Sequence, residues 1–295
     1  MPLEDKIKRS KLKIKQFYDY MDGRVHISTS GGKDSTVLLH LIRSMYPDVV
    51  AVNSYEHVHK ETFQFLDTIP NLIRLKPVMK FEKVIEKYGY PIISKDVSGA
   101  IYRYRRAIEK GIENEYEHLL TGKKKGDKKK YIYNVIPKKW QYLIYAPFKI
   151  GEGCCFATKK KPLKKFAKEN DTGAFMGIRA EESERRRLNY FSHGCTIYTE
   201  GNEKSSPIIF WTEKDIWDYI KINNLKYSKA YDLGDTRTGC VGCLFGCQHD
   251  APPNQIQKMY YRNEKLYNYF VDDLDYGRVL DYINIPYLPL PKKQQ

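Results

Sequence analysis

Apolar and polar positions along the first third of the chain follow two alternating periods. Short apolar runs at Arg24–Thr29, Val49–Asn53 and Leu72–Leu75 read as buried strands. Stretches whose apolar residues recur every three or four positions, Asp34–Met45, Lys60–Leu66 and Phe81–Tyr88, read as helices. Such alternation predicts a Rossmann-like α/β fold, a three-layer parallel sheet covered on both faces, with its ligand at the carboxyl ends of the strands. Between Ser94 and Lys149 the pattern changes. A long charged helix is expected over Asp96–Leu120, then an exposed loop at the lysine tract Lys123–Lys130. The α/β pattern resumes with a helix at Pro162–Lys168, a strand at Ala174–Ile178 and a helix over Thr212–Ile220 with Thr212 as its N-cap. From Pro252 onward one further helix and an extended, Pro-containing tail are expected. The organisation is therefore read as a main domain over 1–250, with a helical basic insertion at about 94–150, and a C-terminal helix and tail over 251–295.

Chemistry enters at the first strand-to-helix junction. Ser30-Gly31-Gly32-Lys33-Asp34-Ser35 lies between the first strand and the first helix of the alternation. A strand feeding a glycine turn that opens a helix aims backbone N–H groups at one point, where the positive end of the helix dipole also sits. Gly31 and Gly32 are expected to take angles closed to other residues and to let an anion approach, Lys33 to supply charge, and Ser30 and Ser35 to supply hydroxyl donors. The spacing is not the Walker form. It resembles the PP-loop of ATP pyrophosphatases, which implies attack at the α-phosphate of ATP with loss of pyrophosphate.

Composition narrows the class. With 41% hydrophobic residues the chain can bury a sizeable core. No stretch approaches the ~20 apolar residues of a membrane span, and Met1-Pro2-Leu3-Glu4-Asp5-Lys6 does not begin like a secretion signal. A cytoplasmic location without a membrane partner is expected. Fifty-one Lys and Arg against 36 acids give a net charge of +15, which would concentrate polyanions at the surface and makes nucleic acid a candidate partner. Arg103, Arg105 and Arg106, with the lysine tract, form the candidate polyanion surface, and nothing in them specifies a base.

The cysteines stand as Cys154-Cys155, Cys195, and Cys240-Val-Gly-Cys243-Leu-Phe-Gly-Cys247. In such a chain they argue for metal or redox chemistry sooner than for disulfides. Zinc is the weaker alternative, since Cys240-x2-Cys243 is a normal half-site. Adjacent cysteines point to opposite faces of a strand, or about 100° apart on a helix, so converging on one small ion needs a distorted backbone. A cubane offers separate irons to neighbouring thiolates.

Cys154-Cys155-Phe-Ala-Thr-Lys159-Lys160-Lys161-Pro162-Leu163, followed by Cys240-x2-Cys243, resembles the cluster pattern of adenylyl-sulfate reductases in the phosphoadenylyl-sulfate (PAPS) reductase family. Glu61-Thr62, Gly177-Ile178-Arg179-Ala180-Glu181-Glu182-Ser183, the block Pro207–Trp217 and Arg237-Thr238-Gly239-Cys240 resemble family blocks in the same order, so the likeness runs from about Arg24 to Cys247. It implies an adenine nucleotide α-hydrolase-like sheet, a bound adenylyl nucleotide, and a 4Fe-4S cluster on Cys154, Cys155, Cys240 and Cys243, with Cys247 as a fifth candidate. Two departures matter. Thr158 stands where those reductases usually carry Arg, although Lys159 keeps a positive charge there. The family's reductases place a nucleophilic cysteine in a C-terminal segment, whereas no cysteine follows Cys247 in this sequence. Only a thiolate gives the sulfur–sulfur bond of that reaction.

The function expected is ATP-dependent adenylation of an acceptor followed by sulfur transfer, with nucleic acid as acceptor as in the related proteins of DNA phosphorothioation systems. A cysteine desulfurase or other thiol donor is the implied partner. The alternatives are a sulfonucleotide reductase and a non-catalytic nucleotide-binding subunit. Arg179, following a strand, is expected to clamp phosphate, the other reading being an ion pair with Glu181 or Glu182. Asp34 either positions Mg²⁺ or caps its helix. Arg237 meets nucleotide or cluster, or makes an ion pair. Trp211 and Trp217 are assigned to packing, His57 and His59 to solvated or hydrogen-bonding positions, and Cys195 to a buried thiol.

Overall fold

The computed structural model describes residues 1–54, 58–123 and 135–291. His57 and residues 124–130 of the lysine tract lie outside the described residues. In chain order the elements begin with α1 (Leu3–Tyr20), β1 (Val25–Ser28), α2 (Lys33–Arg43), β2 (Val50–Ser54), α3 (Lys60–Asp67) and β3 (Leu72–Leu75). Next come α4 (Phe81–Tyr88), β4 (Ile92–Ile93), α5 (Lys95–Glu109), α6 (His118–Thr121) and α7 (Gly153–Cys155). They continue with α8 (Lys161–Glu169), β5 (Gly173–Met176), α9 (Glu184–His193), β6 (Thr196–Ile197), β7 (Lys204–Ser205) and α10 (Glu213–Ile222). The last are β8 (Leu244–Phe245), α11 (Gln255–Arg262), α12 (Glu264–Asn268) and α13 (Tyr276–Tyr282). The chain divides into two compact units, each made of two separated stretches: Met1–Val78 with Thr158–Cys240, and Met79–Ala157 with Val241–Gln295.

In the first unit the described residues form a six-stranded sheet in the order β3-β2-β1-β5-β7-β6. Its centre is parallel: Ile27 of β1 faces Ala51 of β2 on one side and Phe175 of β5 on the other. Side chains alternate across β1, so Ile27 joins a core with Phe17, Leu38, Leu41, Phe175 and Trp211, while His26 packs edge-on against Phe166 of α8. Helices thus flank both faces of an α/β sheet, as the alternation predicts. The expectation of an all-parallel sheet needs one correction: β6 pairs antiparallel with β7, Thr196 opposite Ser205. The connection between them is short and turns at Gly201 (φ +70°), which allows a hairpin but not a crossover. Helix α1, not anticipated from the sequence, buries Ser10, Ile14 and Phe17, and its Lys6 pairs with Asp215.

The second unit corrects the expected insertion and tail. Its two stretches share one hydrophobic core containing Ile92, Ile101, Leu143, Leu244, Phe270 and Tyr276. Strand β4 pairs in parallel with β8, Ile92 opposite Leu244 and Ile93 opposite Phe245. The helix expected over Asp96–Leu120 stops at Glu109, because Gly111 takes a left-handed φ of +67° and the chain continues as a 3-10 turn at Glu113–Tyr116 and then α6. The single C-terminal helix is instead a succession. Asn263, accepting from the Leu266 amide, starts α12 directly after α11, and Asp275 at φ +55° sets off α13.

Candidate functional site

The glycine turn lies where the sheet order places a ligand, at the carboxyl end of the central strand β1. Asn53 of β2 fixes its start by donating from Nδ2 to the Thr29 carbonyl at 2.8 Å. Ser35, expected to face an anion, is buried, donates its hydroxyl to the Gly32 carbonyl at 2.9 Å and accepts from the Ser30 amide at 3.3 Å. Its hydroxyl therefore shapes the loop. Ser30 remains half-buried, and its Oγ accepts from the Gly32 amide at 3.4 Å.

The two glycines are required for different reasons. Gly31 sits at φ +75°, and a Cβ there would lie 3.0 Å from both Thr62 and Leu66 of α3. Gly32, at φ −82° and ψ 159°, adopts an angle any residue can take, contrary to the expectation. A Cβ there would meet the Thr238 hydroxyl at 2.7 Å. Close approach by another segment, not backbone strain, keeps a side chain out of position 32.

That segment runs from Ser228 to Thr238. The Lys33 amide, first of the helix, donates to the Tyr231 hydroxyl at 2.9 Å. The Lys33 ammonium, 3% exposed, donates to the Thr236 carbonyl at 2.9 Å, stands 3.4 Å from Glu213 and lies 4.9 Å from the centre of the Tyr231 ring. Trp217 packs edge-on against Tyr231. Trp211, fully buried with its Nε1 donating to Ser10, is core as expected. Arg237 is exposed between the two threonines that touch the loop. Sequence reasoning missed Tyr231 and Thr236, which stand in an irregular stretch without periodicity.

Arg179 reaches the same place from the end of β5. Gly177 permits this, since a Cβ there would lie 2.9 Å from the backbone of Ser35. The guanidinium is buried and paired with Asp34 through Nε, with Glu181 at 2.6 Å and with Glu213 at 3.6 Å. Glu182 accepts from the Arg179 amide at 2.9 Å. Asp34 does not cap its helix: Gly32 occupies the N-cap, and the Asp34 carboxylate accepts from Arg179. Two cations and three carboxylates therefore meet at the mouth of the loop, and an entering polyphosphate must replace carboxylates or approach them with a divalent cation.

The cysteines are placed by local packing. Cys154 and Cys155 end the single turn α7, where Gly153 is pressed against Tyr88 so closely that a Cβ would lie 2.4 Å from the ring. A π-helical turn, Phe156–Lys160, follows at once, a widening that is frequent at functional sites. Gly242, at φ +75°, lies under Phe270, whose ring would be 2.0 Å from a Cβ. Position 242 between Cys240 and Cys243 thus accepts only glycine. Gln255 donates from Nε2 to the Cys243 carbonyl and, at 3.1 Å, to Cys247 Sγ. Cys154 and Cys247 are buried, while Cys155, Cys240 and Cys243 are half-buried. Among the described residues no three His, Cys, Asp or Glu side chains gather around a single metal ion. Cys195 is half-buried rather than buried and lines a cavity beside α9.

The expected polyanion surface is corrected at Arg105. Its guanidinium donates to the carbonyls of Leu143, Ile144, Ala146 and Phe148 at 2.6–2.8 Å and holds the second unit together. Among the described residues no helix is long and apolar enough to cross a membrane.

Comparison with known proteins places these features in context. The family model described as "Phosphoadenosine phosphosulfate reductase domain" matches residues 24–91 and 98–244. The adenosine 5′-phosphosulfate reductase of Staphylococcus saprophyticus is 23% identical over 244 residues, 82% of this chain and 80% of that protein. Among solved structures, the phosphoadenylyl-sulfate reductase of Candida auris in its phosphate complex is 17% identical, with 74% of this chain and 81% of that chain covered and a TM-score of 0.42. The U34-tRNA thiolase of Methanococcus maripaludis with its [4Fe-4S] cluster is 14% identical, with 77% and 67% covered and a TM-score of 0.40.

Proposed function

The chain belongs to the phosphoadenosine phosphosulfate reductase domain family, and from that premise we propose that it is an ATP-dependent adenylating sulfurtransferase that carries a 4Fe-4S cluster. The observation that carries the reading is the convergence, at the carboxyl end of β1, of the glycine turn, the first amide of α2, the buried Lys33 and the buried Arg179. Backbone N–H groups and two fixed cations answer the charge that develops as an acceptor oxygen attacks the α-phosphorus and pyrophosphate leaves. Asp34 would help to hold Mg²⁺, whose charge would offset that of the leaving pyrophosphate. The outer sulfur of a donor protein's persulfide then attacks the activated centre and expels AMP with the acceptor oxygen, and a second thiol of the donor cleaves the remaining S–S bond, leaving sulfur on the acceptor and a disulfide on the donor.

The cysteine set fits the cluster by its donor chemistry and local backbone. Cys154 and Cys155 immediately precede a π-turn, Cys240 and Cys243 flank an obligatory glycine, and Gln255 offers an N–H donor to the sulfur of Cys247, the fifth candidate. When bound, such a cluster supplies electrons or an iron coordination position for sulfur. The +15 net charge supports a nucleic-acid acceptor.

A second reading, sulfonucleotide reduction, is favoured by the Staphylococcus relative. Candidates for the attacking thiol are the six cysteines described and a partner's. One experiment separates the two. Anaerobically purified protein, with iron and sulfide quantified, is given ATP plus nucleic acid in one assay and adenylyl sulfate plus thiol in another. Pyrophosphate release that is lost in Lys33→Ala and Arg179→Met is the expected result. Sulfite formation without pyrophosphate overturns it in favour of the reductase, and nucleotide binding without turnover in favour of a non-catalytic subunit.

A further inference from the structure

We propose that the cavity beside α9 is a separate binding site for a small organic anion with an apolar body, held at Lys204 and reaching the thiol of Cys195. The cavity has a volume of about 190 Å³ and lies wholly within the first unit, walled by β5, α9 and the β6–β7 hairpin. This is below the roughly 300–1,000 Å³ of pockets for drug-sized ligands, so its occupant is nearer in size to an amino acid or an aromatic acid than to a nucleotide. Met176, Ile178 and Ile197 make one wall apolar. Arg186 and Lys204 bring positive charge, and no carboxylate lines the cavity.

Lys204 is the group that asks for a ligand. It is half-buried, and burial together with the nearby ammonium groups of Lys164 and Lys160 pushes its pKa below the ordinary lysine value. The charged neighbours acting on it have the same sign, so an anion in the cavity relieves both the desolvation and the repulsion. Arg186 is better compensated, being paired with Glu182. It adds field rather than the principal contact.

Cys195 supplies the chemistry. Its carbonyl accepts from the Ser206 amide at 2.7 Å, which fixes the residue on the hairpin edge, and its Sγ sits 3.7 Å from the Thr196 hydroxyl. A thiol on a rigid edge, at the wall of a cationic and partly apolar cavity, is placed to meet a bound anion end to end. The site is distinct from the glycine turn but linked to it through one residue: Ile178 lines the cavity, and the next residue, Arg179, pairs with Asp34.

The test uses two aromatic disulfides that differ in charge, dianionic 5,5′-dithiobis(2-nitrobenzoate) and neutral 4,4′-dithiodipyridine, with the Lys204 variants separating charge from bulk. Labelling of Cys195 is followed by peptide mass mapping of the full-length protein, with rates divided by those of free cysteine. The anionic reagent is expected to react at Cys195 faster than the neutral one by about tenfold, the scale of one partly shielded charge contact. Lys204→Met should reduce that preference to near unity while Lys204→Arg retains it, and 4-nitrobenzoate should protect Cys195 where 4-nitrobenzyl alcohol does not. Equal rates in the native protein, or a preference that survives Lys204→Met with an unchanged melting transition, would overturn the proposal. None of these readouts involves ATP, so failure of the nucleotide reading leaves them intact.

Discussion

Replacing Arg179 by Met, an apolar side chain of similar reach, tests whether the loop and the end of β5 are electrostatically locked. The guanidinium side chain is 4% exposed and its partner Asp34 16%, whereas Glu181 and Glu213 are 51% and 53% exposed. Water can resolvate the two glutamates, so their pairs contribute little. Asp34 has no such relief. Breaking a buried pair by removing one partner typically costs about 3–5 kcal/mol, and the residual exposure of Asp34 lowers the expectation to about 2–4 kcal/mol. Asp34→Asn alone should destabilise less, because Arg179 keeps Glu181 and Glu213, and the double variant should be less damaged than the sum of the singles by about 1–3 kcal/mol, because only Arg179→Met strands the Asp34 carboxylate. Urea unfolding followed by tryptophan fluorescence reads this cleanly in a Trp140→Phe background, since Trp211 and Trp217 both belong to the first unit. Additive single effects would refute the coupling, and an Arg179→Met variant as stable as its parent would refute the buried pair itself.

Tyr231→Phe removes the hydroxyl that accepts from the Lys33 amide. One hydrogen bond of about 1 kcal/mol then no longer competes with phosphate, so ATP measured by calorimetry should bind several-fold tighter, and weaker binding would show that the hydroxyl serves the ligand. Burial lowers the pKa of His26 from 6.5 to about 4, so the folded state resists a proton that the unfolded chain accepts. Stability should be complete above about pH 6.5 and fall by about 3 kcal/mol as the pH drops towards 4, a slope that His26→Phe should flatten in urea titrations at several pH values. Arg105→Met should cost the second unit at least about 3 kcal/mol by stranding four carbonyls, seen as a lower urea midpoint for Trp140 fluorescence.

The strands and helices around the glycine turn were legible because burial on both faces of a parallel strand leaves an apolar run that polar loops interrupt, as at Arg24–Thr29. Helix α1 was not, since Leu3, Ile7, Ile14 and Phe17 are diluted among lysines, of which Lys8 and Lys15 are exposed while Lys6 pairs with Asp215. Gly111 stops α5 through a backbone angle that the charge pattern of Asp96–Leu120 does not encode. The site was legible as far as local motifs reach: Lys33, Asp34 and Arg179 do assemble. Tyr231 and Thr236 were invisible because their role depends on a return of the chain roughly two hundred positions later in sequence. Gly32 shows the same limit. Its small size answers to Thr238, a neighbour that no local rule could supply.

The interleaving of the two units has a consequence for how the molecule is made. Strand β1 sits between β2, from the first stretch of its unit, and β5, which follows only after the whole 79–157 segment. A nascent chain leaving the ribosome therefore exposes the unpaired edge of Val25–Ser28 until Gly173–Met176 has emerged, and the 79–157 segment in turn waits for Leu244–Phe245 to pair with Ile92–Ile93. Open strand edges on a partly synthesised chain invite association between neighbours. Synthesis speed through the 79–157 segment should therefore affect soluble yield.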